Sequence, residues 1–250
     1  MVTIHRFYCP VLRVGIVELD VDESRHALTS LRLRPGDRAE LFDGIGGLAI
    51  GEFTGDPGER GKHRGGPTAR LAVSEVQRAA APPQRFEVLT AAPKGSRLDW
   101  LIEKCTELGA AAVSFLDFER SVARPSESAA AKHRRATIEA SKQCGRLWLP
   151  ELSAGLSLRE TVDRFDGLVA LCDPSPEAQP FAEWLAEHRK NPRLGVLVGP
   201  EGGISPGELA WLAEREVPRV RISSTILRVE TAAVAAVAAW SCGNCDAAAG

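Results

Sequence analysis

The sequence predicts an α/β fold, a mostly parallel sheet flanked by helices, preceded by a smaller β-rich unit. Three observations carry this. From residue 86 onward, short apolar runs alternate with segments of helical spacing, the pattern of strand–helix–strand units. Before residue 79 the apolar runs are broken by turn residues, with one short helical candidate among them. Between the two halves lies Ala79-Ala80-Ala81-Pro82-Pro83-Gln84, whose Pro-Pro pair continues neither helix nor sheet. The expected division is residues 1–78, a linker at 79–84, and residues 85–250.

In the first part, residues 1–22 alternate loosely (Ile4, Phe7, Tyr8, then Val14, Ile16, Val17, Leu19) and suggest short strands. Ser24–Leu31 is a candidate short helix with His26 and Arg32 near its ends. Pro35-Gly36-Asp37 is a turn and Ala39–Phe42 a strand. Asp43-Gly44 signals a hairpin whose returning strand is Leu48–Phe53. Gly44-x-Gly46-Gly47 has no helix pattern after it, so it belongs to that hairpin and not to a nucleotide loop. Residues 54–67 are rich in glycine, proline and charge and read as a mobile loop. Its Arg60, Lys62 and Arg64 are compatible with RNA contact or with simple solvation. Arg70–Val76 is one more strand.

In the second part, Phe86–Ala91 reads as a strand and Pro93-Lys94-Gly95 as a turn. Apolar residues at 98, 101, 102, 105 and 108 then follow helical spacing up to Gly109. Cys105 falls on that apolar stripe and reads as core. Lys94 and Arg97 stand at the helix start, where the macrodipole disfavours cations, which hints at an anion-binding role. Val113–Phe118 is a strand and 127–143 a helix carrying Lys132, Arg134 and Arg135. Ser157 and Glu160 cap another helix, Gly167–Cys172 is a strand, and Phe181–Arg189 is helical.

Leu194, Val196, Leu197 and Val198 form a strand of the kind buried on both faces. Gly199, Gly202 and Gly203 follow it. Ser205, Pro206 and Glu208 then make a capping box with proline at the first helical position. A loop between a strand's C-terminal end and a helix N-terminus is where open α/β sheets bind ligands, although GPEGG alone also fits a tight turn without one. A strand ends at Arg221-Ile222. The run Ile226–Ala232 then leads into Thr231–Trp240, a helix apolar on nearly every face, which must be covered all round.

Composition excludes several classes. Apolar residues make up 44% and charged residues 26%, as in ordinary globular proteins. No run is long and apolar enough for a membrane span, and the opening MVTIHRFYCP has no apolar run of signal-peptide length, so no signal peptide is expected. Six scattered cysteines suit a reducing cytoplasm. Cys242-Gly-Asn-Cys245 lacks the second ligand pair zinc needs, so no metal is expected. The net charge is −2, yet residues 94–146 hold 10 Lys/Arg against 7 Asp/Glu, which permits a local basic face for RNA. Walker A, GxGxxG, GxSxG and HExxH motifs are all missing.

GPEGG (199–203) and ILRVETA (226–232) stand with KGSRLDWLIEKCTELG (94–109), ERS (119–121), EASKQCGR (139–146) and RHALTSLRLRPGD (25–37). Together they resemble the ribosomal RNA small subunit methyltransferase E family, within the SPOUT (trefoil-knotted) methyltransferases. The resemblance covers nearly the whole chain. It implies a PUA-like, RNA-holding barrel over residues 1–78 and a SPOUT-type knotted methyltransferase domain over 85–250. It also implies a cytoplasmic homodimer with its pocket beside the subunit interface. The implied reaction is methyl transfer from S-adenosyl-L-methionine to N3 of one uridine of 16S rRNA in the small ribosomal subunit.

Three loops would grip that cofactor: Leu171 and Cys172 up to Asp173; Val198, Gly199, Pro200, Glu201, Gly202 and Gly203; and Ile222, Ser223, Thr225, Ile226 and Leu227. Arginine stays charged, so Arg228 is expected to stabilise an anion. Glu230 is the candidate base or orienting residue, although an acidic residue in a helix's first turn also serves the dipole alone. Arg32, Lys94, Arg97, Arg120, Gln143 and Arg146 are the candidate RNA contacts. A SPOUT 2′-hydroxyl methyltransferase and a non-catalytic RNA-binding module are the alternatives.

Overall fold

The computed structural model describes residues 4–54, 68–125 and 127–243, with the backbone alone for 127–131. The 54–67 loop beyond Thr54, with Arg60, Lys62 and Arg64, lies outside the described residues, as does Cys245. By its contacts the chain divides into two units, Met1–Ala81 with Ser141–Leu149, and Pro82–Ala140 with Pro150–Gly250.

The first unit is built on a six-stranded sheet. Strands β1 (His5–Tyr8), β2 (Gly15–Glu18), β3 (Arg38–Phe42), β4 (Gly47–Phe53) and β5 (Arg70–Val73) take the order β1-β3-β4-β5-β2, and β6 (Gln77–Arg78) pairs with β4. Only β1 and β3 run parallel. Alternate residues of β4 are buried, so Ala49 and Phe53 join Phe7, Leu41 and Leu71 in one core. The expected helix at Ser24–Leu31 starts earlier. α1 spans Val21–Arg25 because Asp20 caps it, accepting from the Glu23 N–H at 2.8 Å, and a π-helical turn, His26–Ser30, follows. Segment 141–149 joins this unit through backbone bonds from Gly46 to the Leu147 carbonyl and from Leu149 to the Gly44 carbonyl. The Lys142–Glu23 ion pair at 2.9 Å reinforces them.

The second unit holds a seven-stranded, wholly parallel sheet of order β11-β13-β10-β12-β7-β8-β9. Its strands are β7 (Arg85–Thr90), β8 (Ala112–Asp117), β9 (Glu151–Ser157), β10 (Leu168–Cys172), β11 (Gln179–Pro180), β12 (Arg193–Val198) and β13 (Arg219–Arg221). The helices are α2 (Ser96–Glu107), α3 (Glu127–Cys144, whose last turn groups with the first unit), α4 (Leu158–Asp163), α5 (Phe181–His188), α6 (Pro206–Glu214) and α7 (Val229–Gly243). The central strands β7 and β12 are buried along nearly their whole length because both their faces are covered; β12 is almost wholly apolar, whereas β7 carries a buried Glu87 that pairs with Arg193 at 2.9 Å. On one face Phe86, Val88 and Val196 pack with Leu101, Ile102 and Cys105 of α2 and Ala233, Ala236 and Val237 of α7. On the other, Leu89 and Leu197 pack with Trp211 and Leu212 of α6. Each such fully buried Val, Leu or Phe contributes about 1.5–3 kcal/mol.

Strand β9 was not expected from the sequence. It is an edge strand paired with β8 alone, its burial is partial, and Gly155 (φ +69) sits at a register shift, so its apolar pattern is weak. Helix α7 is covered on one side within a single chain. Ala232, Ala233, Ala236 and Val237 are buried, but Thr231 and Ala239 are exposed and Val234, Ala235 and Ala238 only partly covered. Among the described residues no helix is long and apolar enough to cross a membrane.

Candidate active site

Because the seven strands run one way, their C-terminal ends lie on one edge of the sheet, where such sheets bind ligands. Adjacent strands β12, β10 and β13 deliver three loops there. They enclose a cavity of about 530 Å³, within the range of small-molecule sites. The first loop supplies Leu171, Cys172, Asp173 and Pro174; the second Val198, Gly199, Pro200, Glu201, Gly203 and Ile204; the third Ile222, Ser223, Thr225, Ile226, Leu227 and Arg228. Leu209 of α6 and Val229 and Ala232 of α7 complete the lining.

The second loop is shaped by its glycines. A Cβ on Gly199 would stand 2.6 Å from Ile204 Cγ1, and Gly203 has φ +73, a left-handed conformation that other residues rarely adopt. The loop closes into α6 through the expected capping box. Ser205 Oγ accepts from the Glu208 N–H at 3.1 Å, and Glu208 Oε2 accepts from the Ser205 N–H at 2.9 Å. The loop after β8 is fastened to it. Arg120 Nη1 donates to the Gly202 carbonyl at 3.1 Å, and the Phe118 N–H donates to Ser121 Oγ at 3.0 Å.

The charges of the cavity are set by its neighbours. Burial opposes ionisation of Asp173, but hydrogen bonds from Arg219 Nε at 2.6 Å and the Ser175 N–H at 2.8 Å bring its carboxyl below the usual range, so it is charged at neutral pH. Burial, with Asp173 beside it, pushes the Cys172 thiol up, so it stays protonated.

A family model for an RNA methyltransferase domain matches residues 80–241, and one for an RNA methyltransferase PUA domain matches residues 19–60. The ribosomal RNA small subunit methyltransferase E of Mycobacterium bovis is 32% identical over 240 residues, covering 90% of this chain and 86% of its own. The chain belongs to the ribosomal RNA small subunit methyltransferase E family. A Synechocystis member is 30% identical, covering 83% of this chain and 67% of its own. Among solved structures, the Neisseria gonorrhoeae member bound to S-adenosyl methionine superposes with TM-score 0.79, at 28% identity over 95% of this chain and 96% of that one. A Legionella pneumophila protein at 24% identity shares the fold, with TM-score 0.82 over 97% and 98% of the two chains.

Twelve of the thirteen residues that the family resemblance assigns to the cofactor line the cavity. Gly202 does not; its carbonyl faces Arg120 instead. Arg228 is on the lining and exposed, whereas Glu230 lies off it, buried in the first turn of α7 with Arg97 Nε 3.8 Å away. Of the candidate RNA contacts, Lys94, Arg97 and Arg120 belong to the second unit, where they follow β7 and β8 on the cavity's edge of the sheet. Arg32, Gln143 and Arg146 belong to the first unit. Arg32 is exposed with φ +55, and Gln143 is exposed in the last turn of α3. Arg146 is partly covered, and burial brings its guanidinium down to about 10, which leaves it charged at neutral pH.

The reading of the sequence missed Pro174, Ile204, Leu209, Val229 and Ala232 on the lining. Val229 and Ala232 were within reach, since they stand three apart on the apolar stripe that opens α7. It also missed the second role of Glu208, whose Oε1 accepts from the Glu119 N–H at 2.8 Å. Nothing local signals a partner 89 residues away. Among the described residues no group of three or more His, Cys, Asp or Glu could hold a metal, and Cys242 is exposed.

Proposed function

We propose that this chain transfers a methyl group from S-adenosyl-L-methionine to N3 of a specific uridine of 16S rRNA in the small ribosomal subunit. The observation that carries the reading is the cavity itself, formed by three loops on one edge of a parallel sheet in a member of this methyltransferase family. Its lining suits the cofactor. Leu171, Val198, Ile222 and Leu227 offer apolar walls for a purine, and the glycine loop lets backbone approach a ligand. When bound, the cofactor supplies an electrophilic methyl on a sulfonium sulfur.

The residues of the chain supply the rest. N3 of uridine carries a proton at neutral pH, so Glu230 accepts it as the N3 electron pair forms its bond to the methyl carbon. Arg228, permanently charged and on the cavity lining, stabilises the negative charge that develops on the uracil ring. Arg120 and Lys94 face the RNA from the same edge, and the first unit, with Arg32, Gln143 and Arg146, acts as a second RNA-holding surface. The incompletely covered stripe of α7 at Thr231, Val234, Ala235 and Ala238 supports a homodimer that buries it. Such an enzyme works in the cytoplasm, with ribosomal subunits.

The test is methyl transfer from labelled cofactor to small subunits lacking native methylation, with the nucleoside identified by mass spectrometry. 3-Methyluridine is the expected product. Label on ribose would replace this reading with 2′-hydroxyl methylation, and absence of both transfer and cofactor binding would leave a binding module.

A further inference from the structure

Glu230 is 8% exposed at its side chain, and its Oε2 is buried without a hydrogen-bond partner among the described residues. A buried carboxylate that is to act while ionised needs a nearby cation. Helix α7 packs on α2, α5, β7 and β12. On these elements most charges are engaged elsewhere. Asp99 meets His133 and Lys132, Lys104 meets Glu103 and Glu107, Arg85 and Arg193 meet Glu87, and Glu187 accepts from Gln179. Arg97 of α2 is the cation that reaches Glu230, its Nε 3.8 Å from Oε1. Its Nη1 lies 4.0 Å from Oε1 of Glu201 on the cavity lining.

We infer that Arg97 is the positioning residue for Glu230. Its guanidinium, 3.8 Å from the buried carboxylate, aligns it and ties it to the cofactor loop through Glu201. This rests on the reading of Glu230 as the proton acceptor. Both separations exceed hydrogen-bond length, so the contacts are electrostatic and leave the carboxylate free to take a proton. An arginine flanked by two carboxylates is also a poor phosphate clamp, because its charge is already offset. That favours this role over the RNA contact that the motif match suggests.

A double-mutant cycle on the full-length protein tests it, with small subunits as substrate and cofactor affinity measured by calorimetry. Arg97→Gln should lower kcat about tenfold or more, with the RNA KM and the cofactor Kd within about twofold of wild type. Arg97→Lys should restore most of the rate. On the residual rate of Glu230→Gln, adding Arg97→Gln should cost less than about twofold, because the two residues act as one unit. Equal losses in both backgrounds would overturn the inference while leaving the role of Glu230 intact. So would a raised RNA KM with unchanged kcat. A Glu230→Gln variant at wild-type rate would remove the proton-acceptor reading and this inference together.

Discussion

One carboxylate joins two loops of the site: Glu208 Oε1 accepts the N–H of Glu119 at 2.8 Å while its Oε2 accepts the N–H of Ser205 at 2.9 Å. Residue 208 is buried, so both bonds are shielded from water. Hydrogen bonds to charged groups contribute about 1.5–3 kcal/mol, and leaving buried donors unmet adds to the loss. Glu208→Ala should therefore destabilise the protein by about 2–3 kcal/mol in urea unfolding and weaken cofactor binding as well. Unchanged stability would show that water replaces the carboxylate without cost.

Gly199 and Gly203 test the shape of the cofactor loop. Alanine at 199 places Cβ 2.6 Å from Ile204 Cγ1, closer than real contacts allow, so the loop must shift. Cofactor affinity should fall about tenfold or more, equivalent to about 1.4 kcal/mol. Alanine at 203 must adopt φ +73, at a cost of about 1–2 kcal/mol. Calorimetric titration of both variants reads the effect; wild-type affinity in Gly199→Ala would place the ligand elsewhere.

Arg228→Ala should reduce kcat at saturating cofactor by about 10²–10³-fold, the usual loss when a group that stabilises developing charge is removed. Arg228→Lys should recover part of it, since charge returns without the planar fork. If single-turnover rates in Arg228→Ala equal wild type, the anion-stabilising role is wrong.

The Asp173–Arg219 pair should appear in the acid dependence of stability. The folded carboxyl of Asp173 lies below its unfolded value, so its contribution is complete above about pH 4 and is lost as pH falls through the folded value. Between pH 7 and pH 3 the urea midpoint of Asp173→Asn should therefore fall less than that of wild type. Equal falls would mean that the pair does not stabilise the fold.

Thiol labelling offers a check on burial. Cys105 is fully buried and its thiol is pushed up to about 12, so it stays protonated and inert. Burial likewise raises the Cys9 thiol. Iodoacetamide on native protein should modify the exposed Cys144 and Cys242, and reach Cys9 and Cys105 only after denaturation. Early labelling of Cys105 would contradict the packing of α2 on α7.

Much of the fold was legible because its signals are local. The apolar run ending at Val198, the Ser205–Glu208 box and the helical stripe from Leu98 to Leu108 each specify an element without distant help. Asp20 is just as local a cap, but it follows directly on a strand-like alternation, so α1 starts earlier than the apolar pattern suggests. β9 failed because an edge strand with Gly155 in a left-handed conformation has neither a clean alternation nor an apolar run.

The strand–helix alternation, the glycine loop with its capping box and, through the motifs that mark the family, most of the cavity lining can be read from the order of residues alone. Tertiary structure decided what spans long separations. It set the strand order that brings the loops after β10, β12 and β13 together, the Glu208 link to Glu119, and the placing of Arg97 between Glu201 and Glu230. It also grouped Ser141–Leu149 with the N-terminal strands. The physical reason is that propensity, capping and periodicity act over a few residues, whereas a carboxylate's partner is whatever polar group the packed sheet carries to it.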